Sequence, residues 1–383
     1  MSVTAARGFE AAAVSAGLRK SGGLDVALVV NRGPLTSAAA VFTSNRAKAN
    51  PILWSEQVIL DGVVSAIVLN SGGANCFTGS QGFQTVHATA ESVASALQVS
   101  SADVLVCSTG LIGEQLDRPA MLAGVEVAAR ALSPHGGADA ANAILTTDTV
   151  AKMSVRGRDG WTVGGMAKGA GMLAPALATM LVVLTTDADL SSPELDAALR
   201  RAVATTFNRL DSDGCTSTND QVTLLASGAS GIRPELDAFT AALTEVCADL
   251  SQQLMADAEG ASHEITITVR GAASEADAEE VGRSIARSNL FKAAVFGNDP
   301  NWGRVLAAIG TTSAQFDPYE VDVIMNGVRV CHAGQPDVPR KSVDLTPREL
   351  ALDLDLAAGS FSATILTNDL THAYVHENSA YSS

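Results

Sequence analysis

Residues 166–187 read M-A-K-G-A-G-M-L-A-P-A-L-A-T-M-L-V-V-L-T-T-D, and the fold class turns on what this stretch is. Gly169, Gly171 and Ala174 satisfy G-x-G-x-x-A, and Asp187 and Asp189 follow near the distance at which a dinucleotide-binding fold places its ribose acid. That fold needs a buried strand immediately before the glycines and a helix immediately after them. Here W-T-V-G-G-M-A precedes and L-A-T-M-L-V-V-L follows, and Pro175 with the β-branched residues opposes a helix. A phosphate loop fares no better, because Lys168 lies before the glycines rather than after them. What is left is a glycine-rich approach that runs into a second buried strand.

Thr179 stands where the two meet. Composition alone favours a plain strand that begins with a β-branched residue. A sharper reading has the chain break just before Thr179. A threonine hydroxyl is a weak nucleophile until a base takes its proton, and the α-amine of an N-terminal threonine, with a pKa of about 7.7 to 8.0, is such a base. Gly169, Gly171, Pro175 and the alanines at 174, 176 and 178 would let the chain reach Thr179 in an unusual backbone geometry that promotes attack on the preceding carbonyl.

Around this stretch the chain reads as globular. Of 383 residues 47% are hydrophobic and 17% charged, enough for two closely packed lobes with a sizeable core. The formal net charge of -16, with 25 Lys and Arg and no basic cluster, argues against nucleic acid as a partner. It also repels a dicarboxylate, so a site for an anionic amino acid needs locally placed cations; Lys168, Lys292 and Arg304 sit in unusual local sequence. The five cysteines form no C-x-x-C pair, and the six histidines show no ligand spacing, which points to reduced thiols in the cytoplasm and no metal site. No apolar run approaches the roughly 20 residues that span a bilayer. The N-terminal segment is expected to belong to the mature fold, since Glu10 and its glycines do not suit a transit peptide.

Strand-like runs at 26–30, 39–42, 66–70 and 103–107 dominate the first part. Two of them end in tight turns, A-I-V-L-N-S-G-G-A-N and V-L-V-C-S-T-G-L-I-G, which suit backbone N–H groups to oxyanions. Helices are expected from Ser192-Pro193-Glu194 with Ser192 as N-cap, from Pro234, and from Ser274. E-I-T-I-T-V-R alternates as a half-buried strand, and L-A-L-D-L-D-L (350–356) with F-S-A-T-I-L after a turn reads as a pair of partners. The expected fold is α/β (α+β): a layered α-β-β-α sandwich over residues 1–261, containing the proposed break, and a smaller C-terminal α/β domain over 262–383.

K-G-A-G-M-L-A-P-A-L-A-T-M-L resembles the cleavage motif of the ornithine acetyltransferase family, the glutamate N-acetyltransferases of the cyclic arginine pathway. The likeness spans essentially the whole chain: G-F-E-A-A-A, V-F-T-S-N, N-S-G-G-A-N, S-T-G-L-I-G, T-T-D-T, T-F-N-R-L-D-S-D-G-C-T-S-T-N-D, A-E-G-A, G-N-D-P-N-W-G-R and N-S-A-Y-S-S follow in the family's order. It implies self-cleavage between Ala178 and Thr179, with Thr179 then the nucleophile and Thr109 and Gly110 the oxyanion pair. It implies substrate contacts at Thr146 (or its neighbour Thr147), Lys168, Thr179, Glu259, Asn378 and Ser383. The bland counterparts are a tight turn at 109–110, a solvated Lys168, a surface Glu259 and a frayed tail, unless Tyr374 or Tyr381 holds that tail down.

The implied activity moves an acetyl group from N-acetylornithine to glutamate through an acetyl-threonine, with no metal or redox cofactor and with acetyl-CoA left open as a second donor. The α and β fragments are expected to pair as α2β2, without nucleic acid or membrane. A hydrolytic amidase or aminopeptidase with the same kind of nucleophile stays open as an alternative. Gly73 stands where much of the family has asparagine, and Cys215 where aspartate is commoner, which bears on fine substrate preference.

Overall fold

The computed structural model describes residues 2–174 and 180–380. They divide into two compact units, one made of 2–170, 180–208 and 216–254, the other of 171–174, 209–215 and 255–380.

The first unit is a layered α-β-β-α sandwich. One sheet runs Phe9–Val14, Val26–Asn31, Ala66–Asn70, Val104–Ser108, with the last two strands parallel. Period-2 alternation splits its apolar residues between two cores. Val26, Leu28, Val30, Val68 and Val106 face the helices Gly79–Leu97 and Arg118–Arg130, meeting Val86, Val93, Met121 and Val125. Ala27, Val29, Ile67, Leu69 and Leu105 face the second sheet and meet Met166, Leu181, Val183 and Leu225. Both faces are covered, which is why Val26–Asn31 is buried along its whole length.

The second sheet runs Ser37–Phe42, Gln221–Ala226, Leu181–Thr186, Trp161–Lys168, Lys152–Arg158. Its outer face carries the helices Ser192–Thr205 and Leu236–Ala256. Trp161–Lys168 and Leu181–Thr186 pair antiparallel across the segment that opened the sequence reading. A buried strand therefore does precede the glycines, contrary to one ground for rejecting the dinucleotide motif. The other ground holds over the described residues, where the next element is the strand Leu181–Thr186.

Two helix starts shift from expectation. Ser191, not Ser192, is the N-cap: the Glu194 carboxylate accepts its N–H at 2.9 Å and its hydroxyl at 2.5 Å. The Ser192 hydroxyl instead donates to the Gly62 carbonyl at 2.6 Å. The helix expected at Pro234 begins at Leu236. Ser274 caps Glu275–Ala286 as its sequence suggests, accepting the Asp277 N–H at 3.1 Å.

The second unit is a six-stranded sheet in the order Gln335–Pro336, Val328–His332, Asp322–Met325, Glu349–Asp355, Glu264–Ala272, Phe361–Asn368. Glu349–Asp355 and Phe361–Asn368 are not partners, because Glu264–Ala272 lies between them and pairs with both. Leu350, Leu352 and Leu354 share one core with Ile265, Ile267 and Val269. Their alternation fixes which face is inward but not which strand is the neighbour. No helix among the described residues is long and apolar enough to cross a membrane.

Candidate active site

In the first unit the site grows from the ends of the parallel strands Ala66–Asn70 and Val104–Ser108, in register at Asn70 and Ser108. The Thr109 N–H still belongs to the ladder and donates to the Asn70 carbonyl at 2.9 Å. It is spent, so Thr109 can offer an oxyanion only its hydroxyl. The Gly110 N–H, by contrast, has no hydrogen-bond partner among the described residues. Gly110 has φ +125°, and a Cβ there would lie 2.9 Å from Gly73 Cα, so glycine is required both by the dihedral and by the close approach. The Asn219 amide ties the two turns together, donating to the carbonyls of Ala74 at 2.6 Å and Ser108 at 2.9 Å.

Lys168 ends its strand with its side chain 2% exposed. Its ammonium donates to Thr146 Oγ1 at 2.8 Å and to Thr109 Oγ1 at 3.2 Å. By occupying a lone pair of the Thr109 hydroxyl, it leaves that group to act as a donor elsewhere. A buried lysine needs a counter-charge, and Asp148 supplies it at 3.7 Å. Asp148 also accepts from Lys152 at 2.7 Å, from the Gly169 N–H at 2.6 Å and from the Thr146 N–H at 3.1 Å. Burial pushes its carboxyl up, but Lys168, Lys152 and these hydrogen bonds outweigh it and hold the group down at about 2.

In the second unit Glu259 and Asn378 meet: the Asn378 amide donates to Glu259 Oε2 at 2.9 Å. Gly171 closes on the same carboxylate, since a Cβ there would fall 2.5 Å from Glu259 Oε2. The tail is not frayed over the described residues but forms the helix His372–Ala380. Gly260, at φ +62°, lets that helix approach so closely that a Cβ would meet the Tyr374 nitrogen. The Thr371 hydroxyl donates to the Gly260 carbonyl at 2.6 Å and accepts the Tyr374 N–H at 3.0 Å. Burial, with Asp213, Cys215 and Glu259 nearby, raises the Tyr374 phenol to about 12.

Thr109, Gly110, Thr146 and Lys168 thus gather in the first unit, and Glu259 and Asn378 in the second. Ala178, Thr179, Tyr381 and Ser383 lie outside the described residues. Asp148 and Lys152 were missed; the only signal for them was T-T-D-T with a lysine four residues after its aspartate. Gly73 has room for a side chain, with Leu116 Cδ2 3.4 Å from where its Cβ would be. Cys215 is exposed and donates its N–H to Asp213 at 3.1 Å.

The model of the ArgJ family matches residues 10–383. The arginine biosynthesis bifunctional protein ArgJ of Streptomyces coelicolor is 62% identical over 383 residues, covering 100% of both chains. Its counterpart from Mycobacterium leprae is 54% identical over 100% of this chain and 96% of its own. Among solved structures, an ornithine acetyltransferase from Mycobacterium tuberculosis, complexed with ornithine, is 52% identical over 46% of this chain and 95% of its own, with a TM-score of 0.45.

Proposed function

The chain belongs to the ArgJ family and is an acetyltransferase of arginine biosynthesis, and from that premise we propose that it cuts itself between Ala178 and Thr179 and then carries acetyl from N-acetylornithine to glutamate on Thr179. In the cut, the Thr179 hydroxyl oxygen attacks the Ala178 carbonyl carbon, the proton passes to the Thr179 nitrogen and the C–N bond breaks, leaving an ester. Water hydrolyses that ester and leaves a free α-amine on Thr179.

In the first half-reaction this amine takes the hydroxyl proton as the oxygen attacks the acetyl carbonyl. The negative charge on the tetrahedral oxygen is met by the Thr109 hydroxyl and the Gly110 N–H. Collapse expels ornithine, whose nitrogen receives the proton from the α-ammonium. In the second half-reaction the glutamate amine attacks the acetyl ester, the proton returns to the threonine oxygen, and N-acetylglutamate leaves. Thr146, Lys168, Glu259, Asn378 and Ser383 serve as substrate contacts in this proposal.

The observation that carries it is the state of the two donors. The turn at 109–110 holds one unspent N–H and one hydroxyl oriented by a buried lysine, the pair that a forming oxyanion needs. The same proposal includes acetyl-CoA as a second donor, supported by the word bifunctional in the relatives' names; thiolate would leave in place of amine. It also includes a cytoplasmic location and an α2β2 assembly. The test is acceptor dependence: ornithine release from N-acetylornithine should follow glutamate and yield N-acetylglutamate in equal amount. Equal ornithine release without glutamate would make the enzyme a hydrolase.

A further inference from the structure

One short stretch, L-D-S-D-G-C-T-S-T-N-D (210–220), supplies two carboxylates that take backbone N–H groups close to the proposed cut on either side. On the upstream side Asp213 Oδ2 accepts the Met172 N–H at 2.7 Å, while its other oxygen takes the Cys215 N–H at 3.1 Å. Met172 has φ +53°, a left-handed conformation uncommon for a residue with a Cβ, so something must hold it there. The stretch that holds it is itself anchored. The Ser212 N–H donates to the Leu173 carbonyl, the Ser212 hydroxyl donates to Asn368 at 2.9 Å, and the buried Lys292 ammonium donates to the Ser212 carbonyl and to Asn368.

On the downstream side Asp220 is fully buried, and its Oδ1 accepts the Met180 N–H at 2.9 Å. The Met180 carbonyl is held as well, accepting the Gln221 N–H at 3.2 Å. Asp220 Oδ2 has no hydrogen-bond partner among the described residues. Burying a carboxyl is costly, and neither a sheet ladder nor a helix cap requires this one.

We propose that Asp213 and Asp220 are positioning residues for self-cleavage, each fixing the backbone on one side of the Ala178–Thr179 bond so that the residues between can reach attack geometry. The inference rests on the proposed self-cleavage and adds to it what aims the chain. A hydroxyl attacking its own preceding carbonyl has no substrate binding to orient it, so fixing the flanks is the available means, and small misplacements there are expensive in rate. The role needs an acceptor oxygen, not a negative charge. Burial raises both carboxyls, Asp220 well above the usual range against the pull of Met180, Ser217 and Lys168, and Asp213 with Glu259 adding to the effect. An amide can replace Asp220, which accepts an N–H through Oδ1 alone, but not Asp213, both of whose oxygens accept one.

The test is a cell-free synthesis pulse of the full chain, with loss of the whole polypeptide followed on denaturing gels and a thermal melt for each variant. Asp213→Ala and Asp220→Ala should each slow cleavage by about 10-fold or more, while Asp220→Asn stays within about 3-fold of wild type. A folded alanine variant that cuts at the wild-type rate would overturn the role of that residue. So would Asp220→Asn as slow as Asp220→Ala, or alanine variants that lose the fold altogether, since a general structural role would then suffice. Wild-type protein that stays whole would instead remove the self-cleavage on which the inference depends.

Discussion

At the scale of the residue, the geometry makes Thr109 a hydroxyl donor because its N–H is committed to Asn70 and its oxygen already accepts a hydrogen bond from Lys168. Thr109→Ala should cut kcat by about 100- to 1000-fold with little change in KM, and Thr109→Ser should recover most of it. Steady-state kinetics decides this; a rise in KM at constant kcat would make Thr109 a binding residue only. Asp148 offers a second check. Its carboxyl sits at about 2 against an ordinary 3.8, so it binds its proton less readily folded than unfolded. The stability it contributes, about 2 kcal/mol, is whole above pH 4 or so and is lost as pH falls towards 2. Acid melts should show that loss in wild type and a flatter profile in Asp148→Asn, which should also be less stable at neutral pH by about 2 kcal/mol or more because Lys152 and Lys168 lose a carboxylate beside them. Lys168 was legible from its place before the glycine run. Asp148 was not, because nothing local distinguishes a surface T-T-D-T from one folded over two buried ammonium groups.

At the scale of the element, Gly165 of Trp161–Lys168 shows how a strand makes room for a helix. A Cβ at Gly165 would stand 2.8 Å from Leu184, 3.1 Å from Leu250 and 3.3 Å from Val246. Gly165→Val should lower stability by about 1 to 3 kcal/mol through overpacking, read as a fall in the midpoint of urea unfolding; an unchanged midpoint would mean that the helix Leu236–Ala256 yields freely. Strand and helix existence was well marked in the sequence by alternation and by caps such as Ser274. Partner choice was not: Glu349–Asp355 and Phe361–Asn368 follow each other in the chain, yet Glu264–Ala272 enters between them. Alternation records burial of a face, and the neighbour is settled by pairings between residues far apart in sequence.

At the scale of the whole molecule, the net charge of -16 acts on the two substrates differently. Glutamate carries a net negative charge, and N-acetylornithine balances a carboxylate with an ammonium. Raising ionic strength from about 0.01 to 0.15 M shortens the screening length from about 30 to about 8 Å. The kcat/KM for glutamate should therefore rise over that range while that for N-acetylornithine stays nearly level. A fall for glutamate would mean that local cations govern its approach. The mixed α/β character was legible in outline from the strand runs and helix caps, whereas the layering of two sheets between helices, and the assignment of 171–174 and 209–215 to the second unit, depend on tertiary contacts that no local pattern announces. The central claim, a chain opened so that one threonine supplies both oxygen and base, is tested most directly by the intact mass of active enzyme incubated with N-acetylornithine and no glutamate. The prediction is two polypeptides meeting at Ala178 and Thr179, the one that begins with Thr179 heavier by a single acetyl group. An active enzyme found as one unbroken, unacetylated chain would contradict it.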